Sequence, residues 1–347
     1  MSGAAFAIVQ STYSLYLGEI SPSNQRGTLI SLSTVGVSLG SLTGTIGETY
    51  LPSMKISSAL YLVPCILATG ILLWLPSTPY YLIKIDDEDS AKKSMLCYGS
   101  VENHQVKQAL SEIRESVESS EARQSFADKL RQFQTPAMRK AMLLIVVLFA
   151  FPQLCGMFSV SFYSQSILEN SKSADVVNPA TGVIYTTSFG ILSTVISMRL
   201  MDKFGRRFML GISSVGTALS LTVLGLYFFL LQNLNVDMRN LQWLPITSMM
   251  CFTASFMIGF LTVPSTVVGE IFPTHVKSIA SGVTGLTSAL LGFVSSYSYL
   301  PLVKCLGEAY VFWIHAFLSI LALPCALWML PETKGKTLEQ IQHEFYK

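Results

Sequence analysis

The chain alternates long runs of apolar residues with short polar connections. Nine runs carry no Asp, Glu, Lys or Arg: Met1–Gly18, Gly27–Gly47, Ile56–Ile83, Ala141–Leu168, Val176–Met198, Phe208–Val236, Asn240–Gly269, Ser278–Val303 and Ala309–Pro331. A helix needs roughly 20 apolar residues to cross a bilayer, so each run predicts one membrane span. The first is short. The third and sixth exceed one span and must include a loop. None shows the polar face that a soluble amphipathic helix of this length would carry.

Composition agrees, with half of the residues apolar and only 13% charged. A soluble domain of this size would need more surface charge. A net charge of +2 points to no nucleic-acid partner. Lysine and arginine set the orientation. Placing Arg26, the 84–140 segment, the Arg199–Arg207 loop, Lys277 and the C-terminal segment on one side puts 19 of the 23 cations there. Lys55, Lys172, Arg239 and Lys304 remain on the other. The richer side is read as cytosolic, with Met1 starting outside and the C-terminus inside. The six cysteines sit mostly in apolar runs without metal-ligand spacing and are read as small buried hydrophobes. Within the spans, Glu48 is the one carboxylate read as a candidate for burial.

The segment after Asp86 is the longest polar stretch. Its charges are interleaved with Leu110, Ile113, Val117 and Phe126, a spacing that predicts short amphipathic helices at the cytosolic face rather than a solvated linker. Four divisions result: a partial first half over 1–83, a cytosolic helical linker over 84–140, a six-helix second half over 141–331, and a tail over 332–347.

Two motifs occur twice. Gly18-Glu19-Ile20-Ser21-Pro22 with Arg26 echoes Gly269-Glu270-Ile271-Phe272-Pro273 with Lys277, offset by 251 positions. Leu75-Pro76-Ser77-Thr78 echoes Leu330-Pro331-Glu332-Thr333, offset by 255. A shared register of this kind marks an internal repeat of membrane helices. It pairs the first three runs with the last three and leaves the middle three unpartnered. Their counterparts would precede Met1, and the intact plan would be six plus six. The opening Met-Ser-Gly-Ala-Ala-Phe-Ala lacks a basic segment and reads as the middle of a bundle, not as a signal peptide.

These motifs resemble, in order, those of the sugar-porter branch of the major facilitator superfamily, and trehalose- and glucose-transporter-like members in particular. Tyr16–Pro22 with Arg26-Gly27 is similar to the loop after family span four. Pro76–Leu82 resembles the loop after span six, with Ser77 in place of Glu and Tyr80 in place of Arg. Asp202-Lys203-Phe204-Gly205-Arg206-Arg207 resembles the loop after span eight, Gly269–Lys277 the loop after span ten, and Pro331-Glu332-Thr333-Lys334-Gly335 the end of span twelve. The resemblance implies an all-α membrane protein of major facilitator fold, with about nine of twelve spans present. It also implies gating charges at cytosolic helix ends: Glu19, Arg26, Asp202, Arg206, Arg207, Glu270, Lys277 and Glu332. Arginine suits such a gate because its planar fork holds a carboxylate with two bonds. Glu270 with Arg206 or Arg207 is the pair expected to close and part as the halves rock.

The resemblance also places a sugar site at the midplane, in Phe151–Tyr163 of the first span of the second half. Pro152 and Gly156 would open the helix there. By family spacing the substrate contacts are Gln153, Phe158 and Tyr163, with Thr34, Ser265 and Ser288 on other spans. Only Gln153 and Tyr163 keep the family residue; amide and indole positions elsewhere carry smaller or apolar groups. The implied function is facilitative transport of a small solute, a hexose or trehalose, across the bilayer, the plasma membrane being the expected one. The alternative is a non-transporting or truncated member that acts as a sensor or binds a partner. No nucleophile–base pair, carboxylate pair or phosphate loop points to an enzyme, and no cofactor is expected. The oligomeric state is open.

Overall fold

A computed structural model describes residues 16, 20, 26–51, 53–98, 106, 108, 110–111, 113–114, 135–173, 176–272 and 274–330. At 26–35, 54, 137, 198, 202, 269–270 and 274–278 it describes the backbone alone. The chain forms two compact units, Met1–Asp128 and Lys129–Lys347.

In the first unit, α1 (Arg26–Tyr50) and α2 (Met54–Trp74) pair as a hairpin. Tyr61 of α2 donates its hydroxyl to the Gly44 carbonyl at 2.9 Å. Gly47 permits that approach, because a Cβ there would lie 1.9 Å from the Tyr61 oxygen. The third apolar run does break into span and loop. After α2 the chain turns through Leu75–Thr78 into α3 (Pro79–Lys84), capped by the Thr78 hydroxyl, and then α4 (Glu88–Cys97), capped by Asp87. Leu82, Ile83 and Ala91 form a small core with Leu110 and Ile113, and Arg114 holds Glu88 at 2.6 Å. The helical character expected beyond Asp86 is therefore present where it is described; Val117 and Phe126 lie outside the described residues. The Pro76 carbonyl accepts from Tyr16 at 3.1 Å and Tyr98 at 2.7 Å, while the Ser94 hydroxyl reaches the Ser77 carbonyl at 2.7 Å. Burial and the adjoining Tyr16 hydroxyl raise the Tyr98 phenol well above its ordinary pKa. Hydroxyls thus hold the turn where the family pattern would place a Glu and an Arg.

The second unit is a helical bundle: α5 (Pro136–Leu154), α6 (Met157–Phe162), α7 (Ser164–Asn170), α8 (Pro179–Phe204), α9 (Arg206–Phe228), α10 (Leu244–Ile258), α11 (Thr262–Ile271), α12 (Thr274–Leu306), α13 (Glu308–Ile320) and α14 (Ala322–Pro324). Single π turns follow α9 at Phe229–Asn233 and α14 at Cys325–Met329. α9 packs on α10 and α13, α8 on α10, and α5 on α12. The core divides along the bundle axis. One cluster joins Ile145, Leu148, Met209, Phe260, Val267 and Ala322; the other joins Ile167, Leu224, Phe228, Phe252, Val311 and Phe312.

Between the two clusters the spans are interrupted, and the freed backbone groups are met by side chains. Inside a bilayer an unmet N–H or C=O costs several kcal/mol. α10 stops at Ile258 and α11 starts at Thr262. Ser213 of α9 bridges the gap: its hydroxyl donates to the Ser255 carbonyl at 2.6 Å and accepts from the Phe260 N–H at 3.1 Å. Gly259 allows this, since a Cβ there would meet the Met209 carbonyl oxygen at 2.4 Å. α5 and α6 are broken at Cys155-Gly156, where Gly156 adopts φ +87°. There His315 of α13 donates from Nδ1 to the Leu154 carbonyl at 2.8 Å, which fixes its tautomer.

Among the described residues, seven helical stretches are long and apolar enough to cross a membrane. They match the third to the ninth runs. The first run lies outside the described residues. The second is continuous helix, α1, and is not one of the seven. Two readings of the sequence are corrected. Only Cys155 and Cys325 are buried; Cys65, Cys97, Cys251 and Cys305 are exposed, because those in spans fall on outward helix faces. Glu48 is exposed as well, and among the described residues the buried carboxylate is Glu308, at 4%.

Replacing Ser213 by Ala removes both bonds at the α10–α11 break. Thermal unfolding of the full chain in detergent should show a loss of about 1–3 kcal/mol. Gly259→Ala should be more damaging still, because the atom it strikes is backbone.

Candidate functional site

Four of the six residues expected in the solute path, Gln153, Phe158, Tyr163 and Ser288, lie along one seam, where α5 and α6 face α12. On α12, Ser288, Gly292, Ser295 and Tyr299 recur at helical spacing and share a face. Gly292 is the point of closest approach: a Cβ there would lie 2.8 Å from the Phe158 ring and 3.3 Å from Gln153 Oε1. Farther along, the Ser159 hydroxyl donates to the Ser295 carbonyl at 3.1 Å, and Tyr163 stacks on Tyr299 with ring centroids 4.7 Å apart. Phe158 also stacks on the exposed Phe162, at 5.7 Å.

Three buried polar atoms on this seam make no hydrogen bond among the described residues: Gln153 Oε1, Ser288 Oγ and Tyr299 Oη. Buried polar atoms are normally satisfied. Gln153, Ser288 and Tyr299 are the exceptions along this seam. Phe158 and Phe162 add aromatic surface beside it. The expected helix opening is also present, since the bend at Gly156 separates Gln153 from Phe158.

The other expected contacts do not join this group. Ser265 is exposed on α11 and bonds its own helix at the Leu261 carbonyl, 3.5 Å away. Thr34 belongs to α1 in the first unit, and its side chain lies outside the described residues. Among the gating charges, Arg207 donates from Nε to the Leu330 carbonyl, tying the start of α9 to the end of the final span. Asp202, Glu270 and Lys277 occupy helical backbone on α8, α11 and α12, and Arg26 opens α1; their side chains lie outside the described residues. Glu19 and Glu332 lie outside them entirely. The expected Glu270 pairing therefore has no described geometry.

Reading the sequence missed Ser159, Ser295, Tyr299 and His315. The helical recurrence of Ser288, Gly292, Ser295 and Tyr299 was the available signal. It also missed a junction at the end of the bundle where α13 begins. Glu308 accepts there from Asn170 Nδ2 at 2.6 Å and Gln232 Nε2 at 2.9 Å, joining the ends of three spans.

The bundle is built of interrupted, membrane-length helices, and three buried polar atoms without partners among the described residues lie along one seam of it. The chain belongs to the sugar (and other) transporter family, whose model matches residues 1–345. It is 29% identical to Sugar transporter ERD6-like 6 of Arabidopsis thaliana, over 99% of this chain and 70% of that protein. It is 28% identical to solute carrier family 2, facilitated glucose transporter member 8, of Mus musculus, over 99% and 72%. It is 27% identical to facilitated trehalose transporter Tret1 of Bombyx mori, over 98% and 66%. The inward-open xylose transporter XylE from E. coli superposes with a TM-score of 0.74 at 22% identity, over 95% of this chain and 68% of that one. A second structure of XylE, described as a major facilitator superfamily proton:xylose symporter, gives 0.68 over 96% and 70%. The fold is that of the major facilitator superfamily.

Overpacking a close contact costs about 1–3 kcal/mol. Gly292→Ala should lower thermal stability by that order in the native background. In a Phe158→Ala background it should have little effect, because the ring it strikes is gone. Equal losses in both backgrounds would place the Gly292 contact elsewhere.

Proposed function

We propose that the chain carries a small polyhydroxylated solute across a membrane by facilitative alternating access. The observation that carries this reading is the trio of buried, unpartnered polar atoms on the α5–α12 seam, beside the exposed Phe158–Phe162 pair. Hydroxyl groups of a sugar would complete the hydrogen bonds of Gln153 and Ser288, and an apolar ring face would lie on the phenylalanines. The relatives described as glucose and trehalose transporters favour a hexose or trehalose as that solute. With Phe158 at a position where the family pattern has Asn, recognition relies more on ring stacking and less on amide bonds.

In this reading, 1–83 is part of one half of the rocking unit, 84–140 a cytosolic helical linker, 141–331 the other half and 332–347 a cytosolic tail. The 19-to-4 split of cations supports that orientation. The plasma membrane is the proposed site. Glu270, Arg206 and Arg207 form the cytosolic gate, with Glu19, Arg26, Asp202, Lys277 and Glu332 at equivalent helix ends.

The test is counterflow of radiolabelled glucose and trehalose into liposomes carrying the full chain. Saturable uptake of at least one is expected. Gln153→Ala or Ser288→Ala should each raise KM roughly tenfold, in keeping with about 1–3 kcal/mol for a lost bond to a buried polar group. Absence of saturable uptake of both sugars, or an unchanged KM in both variants, would overturn the proposal.

A further inference from the structure

The junction at the start of α13 joins a buried carboxylate to amides, with no cation paired to it among the described residues. Glu308 is 4% exposed, while Asn170 and Gln232 are exposed residues. The carboxylate therefore lies one side chain below the surface at this end of the bundle. Each of its oxygens has its own amide: Oε1 accepts from Asn170 and Oε2 from Gln232. The other titratable groups of the neighbouring elements are engaged elsewhere or turned outward. Lys172 beyond α7 and Lys304 at the end of α12 are exposed. Glu169 accepts from Gln165 at 2.9 Å, and Asp237 and Arg239 face each other at 3.7 Å. Tyr227 of α9 donates to the Ser171 carbonyl at 2.8 Å, and His315, farther along α13, bonds the Leu154 carbonyl. Tyr299 of α12 alone lies within electrostatic reach of Glu308 among these groups, with Tyr163 stacked on it.

Two influences oppose each other at this carboxylate. A group shut away from water is costly to keep charged. Its place in the first turn of α13 and its two N–H donors favour the charge. Amide partners suit both outcomes. Asn170 and Gln232 each offer an N–H to a carboxylate and, turned over, a C=O to the O–H of a neutral acid. Lysine or arginine could serve the charged form only. We propose that Glu308 is a reversible proton-binding site, whose charge sets how firmly Asn170 and Gln232 fasten α7 and the π turn after α9 to α13. The proton comes from water and adds to one carboxylate oxygen. That oxygen then becomes a donor, and the amide facing it must turn over or let go. α7 begins beside Tyr163, whose ring lies on Tyr299, which gives the junction a route to the seam.

The test compares the full chain in liposomes with Glu308→Gln, a neutral side chain of the same shape. Infrared absorbance of the carboxylic acid carbonyl is followed from about pH 8 to about pH 5. The native chain should gain one acid band that Glu308→Gln lacks. At the upper end of that range, amide hydrogen exchange over residues 164–170 and 229–233 should be about tenfold faster in the variant, as expected for one lost charge-assisted bond. If Glu308→Gln does not fold, Asn170→Ala and Gln232→Ala each remove one donor. Either should displace the midpoint of the band by about one pH unit. Matching native and Glu308→Gln spectra throughout the range would overturn the proposal, as would a midpoint that neither alanine moves. Faster exchange in Glu308→Gln without a native acid band would also overturn it, and would make the junction a fixed fastening.

Discussion

The second unit depends on one constraint: a backbone group inside a bilayer must find its hydrogen bond within the protein. Unbroken helices meet it automatically, and α12 does so for 33 residues. The spans that bend cannot. Ser213 and His315 resolve the two breaks by reaching from neighbouring helices to the stranded Ser255 and Leu154 carbonyls. Each is a single side chain that acts where a whole turn of helix has been lost. Gly156 and Gly259 are the complementary half of this device, because they let the partner come close enough.

The same interruptions position the seam. The bend at Gly156 redirects the chain between Gln153 and Phe158 so that both meet Gly292. Beyond it, hydroxyl and ring contacts at Ser159 and Tyr163 hold α6 and α7 against α12. Gln153, Ser288 and Tyr299, whose polar atoms lack partners among the described residues, lie along this seam, while many serines and threonines of the bundle bond back to their own helices.

Much of this was legible beforehand, and for a physical reason. Spans are long, uniform and charge-free, so their limits follow from local composition. Pro152 with Gly156 advertises a helix break through its own backbone chemistry. The motif order identified the family. What stayed hidden were partners distant in the chain. Ser213 and His315 are isolated polar residues in apolar runs, and nothing near them in sequence tells that each serves a break in another helix. Glu308 lies between two runs and looks like an ordinary boundary charge; Asn170 and Gln232, which surround it, belong to loop ends far upstream. Glu48 misled for the opposite reason: it lies inside a helix, but on an exposed face. The cysteines did so too, since an apolar run has an outside as well as an inside. Ser265 shows the limit of motif spacing, which places a residue on a helix without saying which way it faces.

The Glu308 junction bears on how the bundle is assembled. A carboxylate is unfavourable in hydrocarbon, by about 2.5–3.5 kcal/mol at mid-span on insertion scales for comparable charged residues, and less near an end. Glu308 finds its partners outside its own helix. Asn170 and Gln232 lie far upstream, at the ends of two earlier helices. The amides they present convert an unfavourable group into a fastening for three helix ends. One carboxylate and two amides thus fasten three helix ends that are far apart in the sequence.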